Sequence, residues 1–170
     1  MLLRRELPGD ADAIRRVHTD AFASDPSAEP VEPALVEQLR ADPGWIPQLS
    51  IVALDRGEIV GHVVATRGHV DEHPALGLGP IGVRRAAQGG GAGAALMHAV
   101  LAAADALDEP LVALLGHLDY YPRFGFEPAH RHGIHPPEPG WAEHFQVRPL
   151  TAHRPEITGT FRYADPFTRL

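Results

Sequence analysis

Hydrophobic positions recur at helical spacing in three stretches of the chain. Between Asp10 and Phe22 they return every third or fourth residue, and Asp10 is placed to cap the first turn. Ala34 to Arg40 repeats the pattern and stops before Pro43-Gly44. The longest stretch, Gly91 to Leu107, carries an apolar stripe at Leu96, Val100, Ala103, Ala104 and Leu107. These three patterns predict three helices.

Runs of β-branched and other apolar residues predict strands between and after the helices. Leu49–Leu54 and Glu58–Ala65 flank Asp55-Arg56-Gly57, a short turn ending in glycine, which is typical of a β-hairpin. Leu111–Leu115 is apolar at every position, as expected of a buried strand. Further strands are predicted from Gly125, over Phe145–Leu150 and over Gly159–Tyr163. Because no repeat or linker interrupts the pattern, residues 1–170 are predicted to form one α+β domain.

The predicted strand Leu76–Val83 has an unusual composition. Three glycines and Pro80 lie within its eight residues, LGLGPIGV. Proline cannot donate to a strand ladder, and a glycine inside a strand marks a bulge or a close approach to the backbone. We therefore expect this strand to be interrupted by a bulge.

A glycine-rich loop, AAQGGGAGAAL at residues 86–96, directly precedes the longest helix. The loop contains none of the Ser, Thr, Asp or Asn residues that usually cap a helix start. Its glycines leave the first N–H groups uncovered at the positive end of the helix dipole, an arrangement that favours an anion such as phosphate. Arg84 and Arg85 stand just before it. The alternative is a loop that is merely flexible.

The loop discriminates between kinds of phosphate ligand. It lacks the G-K-[ST] of a nucleoside triphosphate loop. Gly89-x-Gly91-x-x-Ala94 matches the loose dinucleotide fingerprint, and Asp108 follows at a suitable distance. Two features oppose that match: the residues between Val83 and Gly89 delay the turn, and the preceding strands form a hairpin. Gln88-x-x-Gly91-x-Gly93 fits the acyl-CoA motif Q/R-x-x-G-x-G/A better.

Composition narrows the function classes. A net charge of −7 argues against a general nucleic-acid partner. The chain has no cysteine, so disulfide, thiolate-metal and cysteine-nucleophile chemistry are excluded. No apolar run approaches the length of a membrane span, and charges at Arg4 and Arg5 come too early for a signal peptide. The expectation is a cytoplasmic protein with neither a membrane nor a nucleic-acid partner.

Eleven histidines raise the question of a metal site. His69 and His73 are four residues apart in a predicted loop, and His130, His132 and His135 lie among prolines and glycines. Neither spacing matches a known zinc pattern, so we interpret them as solvated loop residues and expect no metal.

The order of these elements resembles that of the GCN5-related N-acetyltransferase (GNAT) superfamily. The glycine-containing strand, the Q-x-x-G-x-G loop, the long helix and the apolar strand are followed by Tyr120-Tyr121-Pro122-Arg123-Phe124-Gly125-Phe126. More narrowly, the chain is similar to the YhbS-like subgroup of predicted acetyltransferases in Leu78–Val83, Leu115-Gly116-His117, Phe145-Gln146-Val147 and Gly159–Tyr163. The resemblance covers nearly the whole chain.

The resemblance implies a fold and a cofactor. The implied fold is a mixed, mostly antiparallel central sheet flanked by helices and splayed at a bulge in the cofactor-binding strand. The implied co-substrate is acetyl-CoA. Its pantetheine arm would pair with the backbone of Ile81, Gly82 and Val83, and its pyrophosphate would rest on Gln88, Gly89, Gly90, Gly91, Ala92, Gly93 and Ala94. Gly91 and Gly93 are expected to lie where a side chain would collide with the phosphates, whereas Gly89 and Gly90 supply backbone freedom.

The resemblance also implies a reaction, in which a primary amine attacks the acetyl group directly and coenzyme A leaves as a thiolate. In many members a tyrosine four residues before the glycine of the Gly-Phe pair protonates the sulfur, and counting back from Gly125 gives Tyr121. Tyr120 is the weaker candidate. His117 stands where many members carry a cofactor-contacting asparagine. The general base stays open among His62, His69, Glu72 and a water relay.

The acceptor is expected to be a small-molecule or peptide amine whose identity the sequence does not give. The acidic loop Ser24–Pro33, with Asp25, Glu29 and Glu32, suits a cationic amine. The resemblance leaves a homodimer open, since dimers are frequent in the family. Two alternatives remain at this point: a non-catalytic acyl-CoA-binding sensor and a nucleotide-dependent oxidoreductase.

Overall fold

A computed structural model describes all residues from Met1 to Leu170. Its nine strands are β1 (Leu2–Arg5), β2 (Ser50–Asp55), β3 (Glu58–Val70), β4 (His73–Val83), β5 (Leu111–Leu115), β6 (Glu127–Pro128), β7 (Ile134–His135), β8 (Phe145–Pro149) and β9 (Gly159–Arg162). Its three α-helices are α1 (Ala11–Phe22), α2 (Glu32–Ala41) and α3 (Ala92–Ala106). None of these helices combines the length and the apolar character needed to cross a membrane.

The strands form a mixed sheet in the order β1-β2-β3-β4-β5-β8-β6. Every neighbouring pair along this path is antiparallel except β4 and β5. Strand β9 pairs with the far end of β3 on one side and with β7 on the other. The expected fold, a mixed and mostly antiparallel sheet with flanking helices, is confirmed.

Alternation along the central strands buries both faces of the sheet. In β2, Ile51 and Ala53 face the core formed with α3, whereas Val52 packs with residues of α1 and α2. In β3, Val63 and Val64 divide in the same way between the two faces. Because successive side chains of a strand point to opposite faces, α3 covers one face of the sheet and α1 and α2 cover the other.

The helix boundaries agree closely with the sequence pattern, but two details differ. Asp10 precedes α1 as expected, yet its carboxylate accepts the Leu7 N–H at 2.7 Å and pairs with Arg4 at 2.6 Å instead of capping the helix. Leu107, assigned to the apolar stripe of α3, is 40% exposed because the helix ends at Ala106.

The hairpin between β2 and β3 is present, with positive φ at Arg56 and Gly57 in its turn. Strand β3 continues five residues beyond the predicted Ala65, to Val70. The prediction stopped early because Arg67, Gly68 and His69 break the apolar pattern. Partners elsewhere in the chain nevertheless hold this extension: β4 along one edge and β9 along the other.

Strands β4 and β5 diverge after a short contact. They pair only at Leu76 with Val112 and at Gly77 with Ala113, although β4 continues to Val83. On its other edge β4 shifts register against β3 between Val63 and Ala65. The predicted bulge and splay are therefore present, and they leave the later half of β4 without a strand neighbour on the β5 side.

Candidate functional site

The glycine-rich loop presents free backbone donors. The N–H groups of Gly89, Gly90 and Gly91 donate to no acceptor in the protein, and no side chain caps α3. The first-turn N–H groups of α3 have no preceding helical carbonyl to bond. Gly89 and Gly91 have φ of +80° and +86°, a conformation that favours glycine, whereas Gly90 and Gly93 do not. The backbone conformation therefore favours glycine at 89 and 91, and the expected collision of a side chain with the phosphates at 91 and 93 stays a prediction.

A cavity of about 470 Å³ opens in front of these donors. It is lined by Ile81, Val83, Ala87, Gln88, Gly89, Gly91, Ala92, Gly93, Ala94, Tyr120, Tyr121 and Arg123. Eight of the ten predicted cofactor-binding residues are therefore brought to one cavity. The other two are not: Gly90 is outside the lining, and Gly82 faces α1, where a Cβ would lie 2.9 Å from Nδ1 of His18.

Side chains around the loop divide into those that shape it and those that turn away. Gln88 Nε2 donates to the Val83 carbonyl at 3.0 Å and so fixes the loop to the end of β4. Arg84 lies near Glu58 at 3.9 Å, and the backbone N–H of Arg85 is held by Asp20 at 2.7 Å. The arginines that precede the loop in sequence thus point elsewhere.

Arg123 supplies the cation that lines the cavity instead. Its guanidinium stacks on the ring of Tyr120 at 4.6 Å and donates to the Tyr120 and Asp119 carbonyls at 2.9 and 3.1 Å. In the sequence, Arg123 stands out only as part of the motif Tyr120–Phe126. Its role depends on β5 carrying the chain back to the loop, which no local pattern shows.

Tyr121 lies where the loop cavity meets a second cavity. A short 3-10 turn, Tyr121–Phe124, follows β5 and holds the tyrosine beside the splay. Its ring packs edge-on against Tyr120 and Phe126 and occupies space that a Cβ at Gly116 would fill. Its hydroxyl forms no hydrogen bond within the protein. Burial, with a smaller contribution from Tyr120, raises the pKa of Tyr121, so the phenol keeps its proton at neutral pH.

The second cavity, of about 410 Å³, lies across the splay and shares Ile81 and Tyr121 with the first. Residues from α1, α2, β4 and β5 line it together with Trp141, Tyr163 and Phe167 from the last part of the chain. The two cavities thus adjoin at Ile81 and Tyr121 and together extend from the glycine-rich loop to α2; this pair of adjoining cavities is called the passage. Such a passage provides space for two ligands that meet at Tyr121.

A buried chain of hydrogen bonds lies under α1. The Ser50 hydroxyl donates to Glu6, so His62 Nε2 must donate to Ser50 Oγ, at 2.9 Å. His62 Nδ1 then accepts from His18 Nε2 at 2.8 Å, and His18 Nδ1 is left as a buried lone pair without a partner, against Gly82. The hydrogen-bond network thus assigns both imidazoles as neutral tautomers.

The charges in this chain agree with that assignment. Burial lowers the pKa of His18 to about 3 and also lowers the pKa of His62. Burial alone would raise the pKa of Glu6, but the neighbouring His62, Arg40 and Ser50 bring it down to about 2. The carboxylate is therefore charged and both histidines are neutral at physiological pH.

The remaining sequence-predicted candidates lie away from the passage. His69 lies near the far end of β3, and Glu72 lies in the exposed turn before β4. His62 is fully buried and belongs to the chain of hydrogen bonds that links Glu6 to His18. His117 is exposed, and neither cavity includes it. No group of three or more His, Asp or Glu side chains is arranged to hold a metal ion.

Comparison with known proteins identifies the family that shares this architecture. A family model described as an acetyltransferase (GNAT) domain matches residues 47–128. The uncharacterized N-acetyltransferase YjhQ of Escherichia coli K12 is 36% identical over 165 residues, covering 92% of this chain and 88% of YjhQ. The structure of E. coli YhbS in complex with CoA matches 99% of this chain and 92% of its own, with a TM-score of 0.89 and 31% identity. A GNAT acetyltransferase from Brucella melitensis in complex with acetyl-CoA matches with a TM-score of 0.80 and 30% identity, covering 98% of this chain and 97% of its own. The chain described here therefore belongs to the GNAT family of acetyltransferases.

Proposed function

We propose that this chain, acting as one domain over residues 1–170, transfers the acetyl group of acetyl-CoA to a primary amine by direct attack. The observation that carries the proposal is the passage with free loop amides at one end and the unpartnered phenol of Tyr121 at its centre. Family membership favours the acyl-CoA motif over the dinucleotide fingerprint in the same glycines. The relatives solved with CoA and acetyl-CoA support the choice of co-substrate.

In this proposal the pyrophosphate takes the place of the missing helix cap. The free amides of Gly89 and Gly91 and the first turn of α3 donate to the phosphate oxygens, and Arg123 adds a positive charge. The pantetheine arm follows the edge of β4 that β5 leaves unpaired, past Val83 and Ile81. A backbone N–H on that edge hydrogen-bonds the thioester carbonyl and stabilises the oxyanion.

In the transfer step Tyr121 supplies the proton that the leaving sulfur takes up. The lone pair of the neutral amine forms a C–N bond to the acetyl carbon, and the C–S bond breaks with its electron pair on sulfur. The phenol of Tyr121 donates its proton to that sulfur, and the proton released by the nitrogen returns to the phenolate through water. A phenol held neutral by burial is suited to this role because it retains a proton to donate.

A Tyr121→Phe variant tests the proposal, because phenylalanine keeps the ring packing against Gly116 and removes only the hydroxyl. Calorimetric titration with CoA is expected to give wild-type affinity, while acetyl transfer at saturating acetyl-CoA falls by about 10²–10⁴. Tyr120→Phe is the companion variant: its hydroxyl faces Gly93, so it is expected to change CoA affinity more than the saturated rate. An unchanged rate in Tyr121→Phe would show that Tyr121 is not the acid.

The same measurements, together with a calorimetric titration of NAD, separate the alternatives. A non-catalytic acyl-CoA-binding sensor would bind CoA normally and transfer nothing to any amine. A nucleotide-dependent oxidoreductase would bind NAD in preference to CoA. The unpartnered phenol at the meeting point of two cavities favours the enzyme, since a binding module needs no proton donor there.

A further inference from the structure

The second cavity is built almost entirely from apolar side chains. Its lining is Phe22, Val31, Glu32, Leu35, Leu78, Gly79, Pro80, Ile81, Leu114, Leu115, Tyr121, Trp141, Tyr163, Phe167 and Leu170. Glu32 is the single charged side chain in this set, and no Arg, Lys or His side chain lines the cavity. Its volume of about 410 Å³ lies within the range of sites for drug-sized ligands.

The carboxylate of Glu32 is free to meet a ligand. It stands at the first turn of α2, half-buried, and takes part in no salt bridge or side-chain hydrogen bond. The other acids of the same loop are already engaged: Asp25 bonds the backbone and hydroxyl of Ser27, and Glu29 pairs with Arg15 at 3.0 Å. The acidic loop predicted from the sequence thus contributes one carboxylate to the cavity.

This distribution of charge discriminates between classes of amine. An ammonium group entering the cavity finds Glu32 as a counter-charge. A carboxylate or phosphate on the same molecule would be buried without a cationic partner, which is costly. A second ammonium or several hydroxyls would lose water against apolar walls for the same reason. A hydrocarbon or aromatic substituent gains from the same burial.

We infer that the acceptor is a primary amine that carries a large apolar or aromatic group and no anionic group, with Glu32 as the residue that attracts its ammonium end. This inference rests on the proposed acetyl transfer and specifies its second substrate. The apolar group fills the space between α2, β5 and the aromatic residues Trp141, Tyr163 and Phe167. Glu32 lines the same cavity as Ile81 and Tyr121, at which the two cavities adjoin, so an amine bound there shares that cavity with the proposed acid.

The test compares kcat/KM for acetyl transfer across the homologous series of amines from n-propylamine to n-heptylamine. Transfer is followed by the release of the CoA thiol. Each added methylene is expected to raise kcat/KM about fourfold until the cavity is filled. 2-Phenylethylamine is expected to exceed phenylalanine, which differs by one carboxylate, by at least tenfold. A flat series, or a preference for phenylalanine or putrescine, overturns the inference while leaving acetyl transfer intact.

Two variants assign the role of Glu32. Glu32→Gln is expected to lower kcat/KM for n-hexylamine about tenfold with CoA affinity unchanged, because a charge-assisted contact is lost. Glu29→Gln removes a neighbouring charge that does not line the cavity, and it is expected to stay within twofold of wild type. Equal losses in both variants would show that only the general field of the loop matters, contrary to the inference.

Binding provides a readout that does not depend on transfer. In a Trp45→Phe background Trp141 is the sole tryptophan and lines the cavity, so its fluorescence should change when n-hexylamine is added to the CoA complex. If the amine binds but no acetyl group moves, the proposed function fails and the apolar amine site stands. If transfer occurs to hydrophilic amines and n-hexylamine does not bind, the inference fails and the proposed function stands.

Discussion

Gly91 and Gly90 form a matched pair for testing how the loop binds phosphate. A Cβ at Gly91 would meet nothing within 4 Å, and one at Gly90 would meet only the Ala87 carbonyl oxygen, at 3.4 Å. Alanine therefore fits both positions sterically. The difference lies in the backbone, because Gly91 has φ of +86° and Gly90 is not in the left-handed region.

The expected cost follows from that φ value. A residue with a Cβ pays about 1–2 kcal/mol to adopt the left-handed conformation. If the loop keeps its shape in Gly91→Ala, this cost lowers the free energy of unfolding. If the loop relaxes when empty, ligand binding must restore the strained shape, and CoA affinity falls roughly 5- to 30-fold. The two losses, added together, should come to about 1–2 kcal/mol.

Gly90→Ala should behave in the opposite way. At a compatible φ, replacing glycine by alanine stabilises a protein by about 0.4–1 kcal/mol through the unfolded state. Urea unfolding and calorimetric titration with CoA, performed on both variants, measure the two quantities that are to be summed. A Gly91→Ala variant that matches Gly90→Ala in both stability and CoA affinity would refute the claim that the left-handed conformation at Gly91 shapes the site.

Two further outcomes are expected. The pKa of His18, about 3 in the folded protein, lies below its ordinary value near 6.5, so unfolding takes up a proton as the pH falls. In urea unfolding, His18 should therefore lower the free energy of unfolding by roughly 1 kcal/mol per pH unit once the pH drops below about 6. His18→Gln should reduce this dependence on pH. An equal dependence in the variant and the wild type would contradict the neutral state assigned to His18. Arg123→Gln should weaken CoA binding about tenfold in calorimetry and reduce its salt dependence, because Arg123 is the cation of the loop cavity. Arg85→Gln is the control, because the side chain of Arg85 points toward the Ala23 carbonyl, and it should change CoA affinity little. A comparable loss of affinity in Arg85→Gln would contradict the role given to Arg123.

The parts of the site that lie close together in sequence were predictable. The loop and the start of α3 follow from neighbouring residues, whereas Tyr121 was singled out by resemblance to the GNAT family. The glycines need a special backbone, and α3 has a clear apolar period. Local patterns of this kind depend on interactions that the residues make with their near neighbours in the chain.

The complete acceptor cavity was not predictable, because its walls come from five separated stretches of the chain. Trp141 and Phe167 reach it only after β8 and β9 have added to the sheet. The hydrogen-bond chain from Glu6 to His18 was missed for the same reason: β1 is too short and too charged to be recognised without its partner β2. Periodicity reports which face of an element is buried, but not which other element covers it.

The divergence of β4 from β5 separates the proposed acid, Tyr121, from the proposed cofactor-binding loop. Tyr121 follows β5, which pairs with β8 and through it with β6, whereas Ile81 and the glycine-rich loop belong to the end of β4. Only two residue pairs join the strands directly. A bound pantetheine arm would act as a substitute strand that joins both edges and sets the distance from the phenol to the thioester. On this view acetyl-CoA is both the acetyl donor and a spacer that brings the acid into register with the bond to be broken.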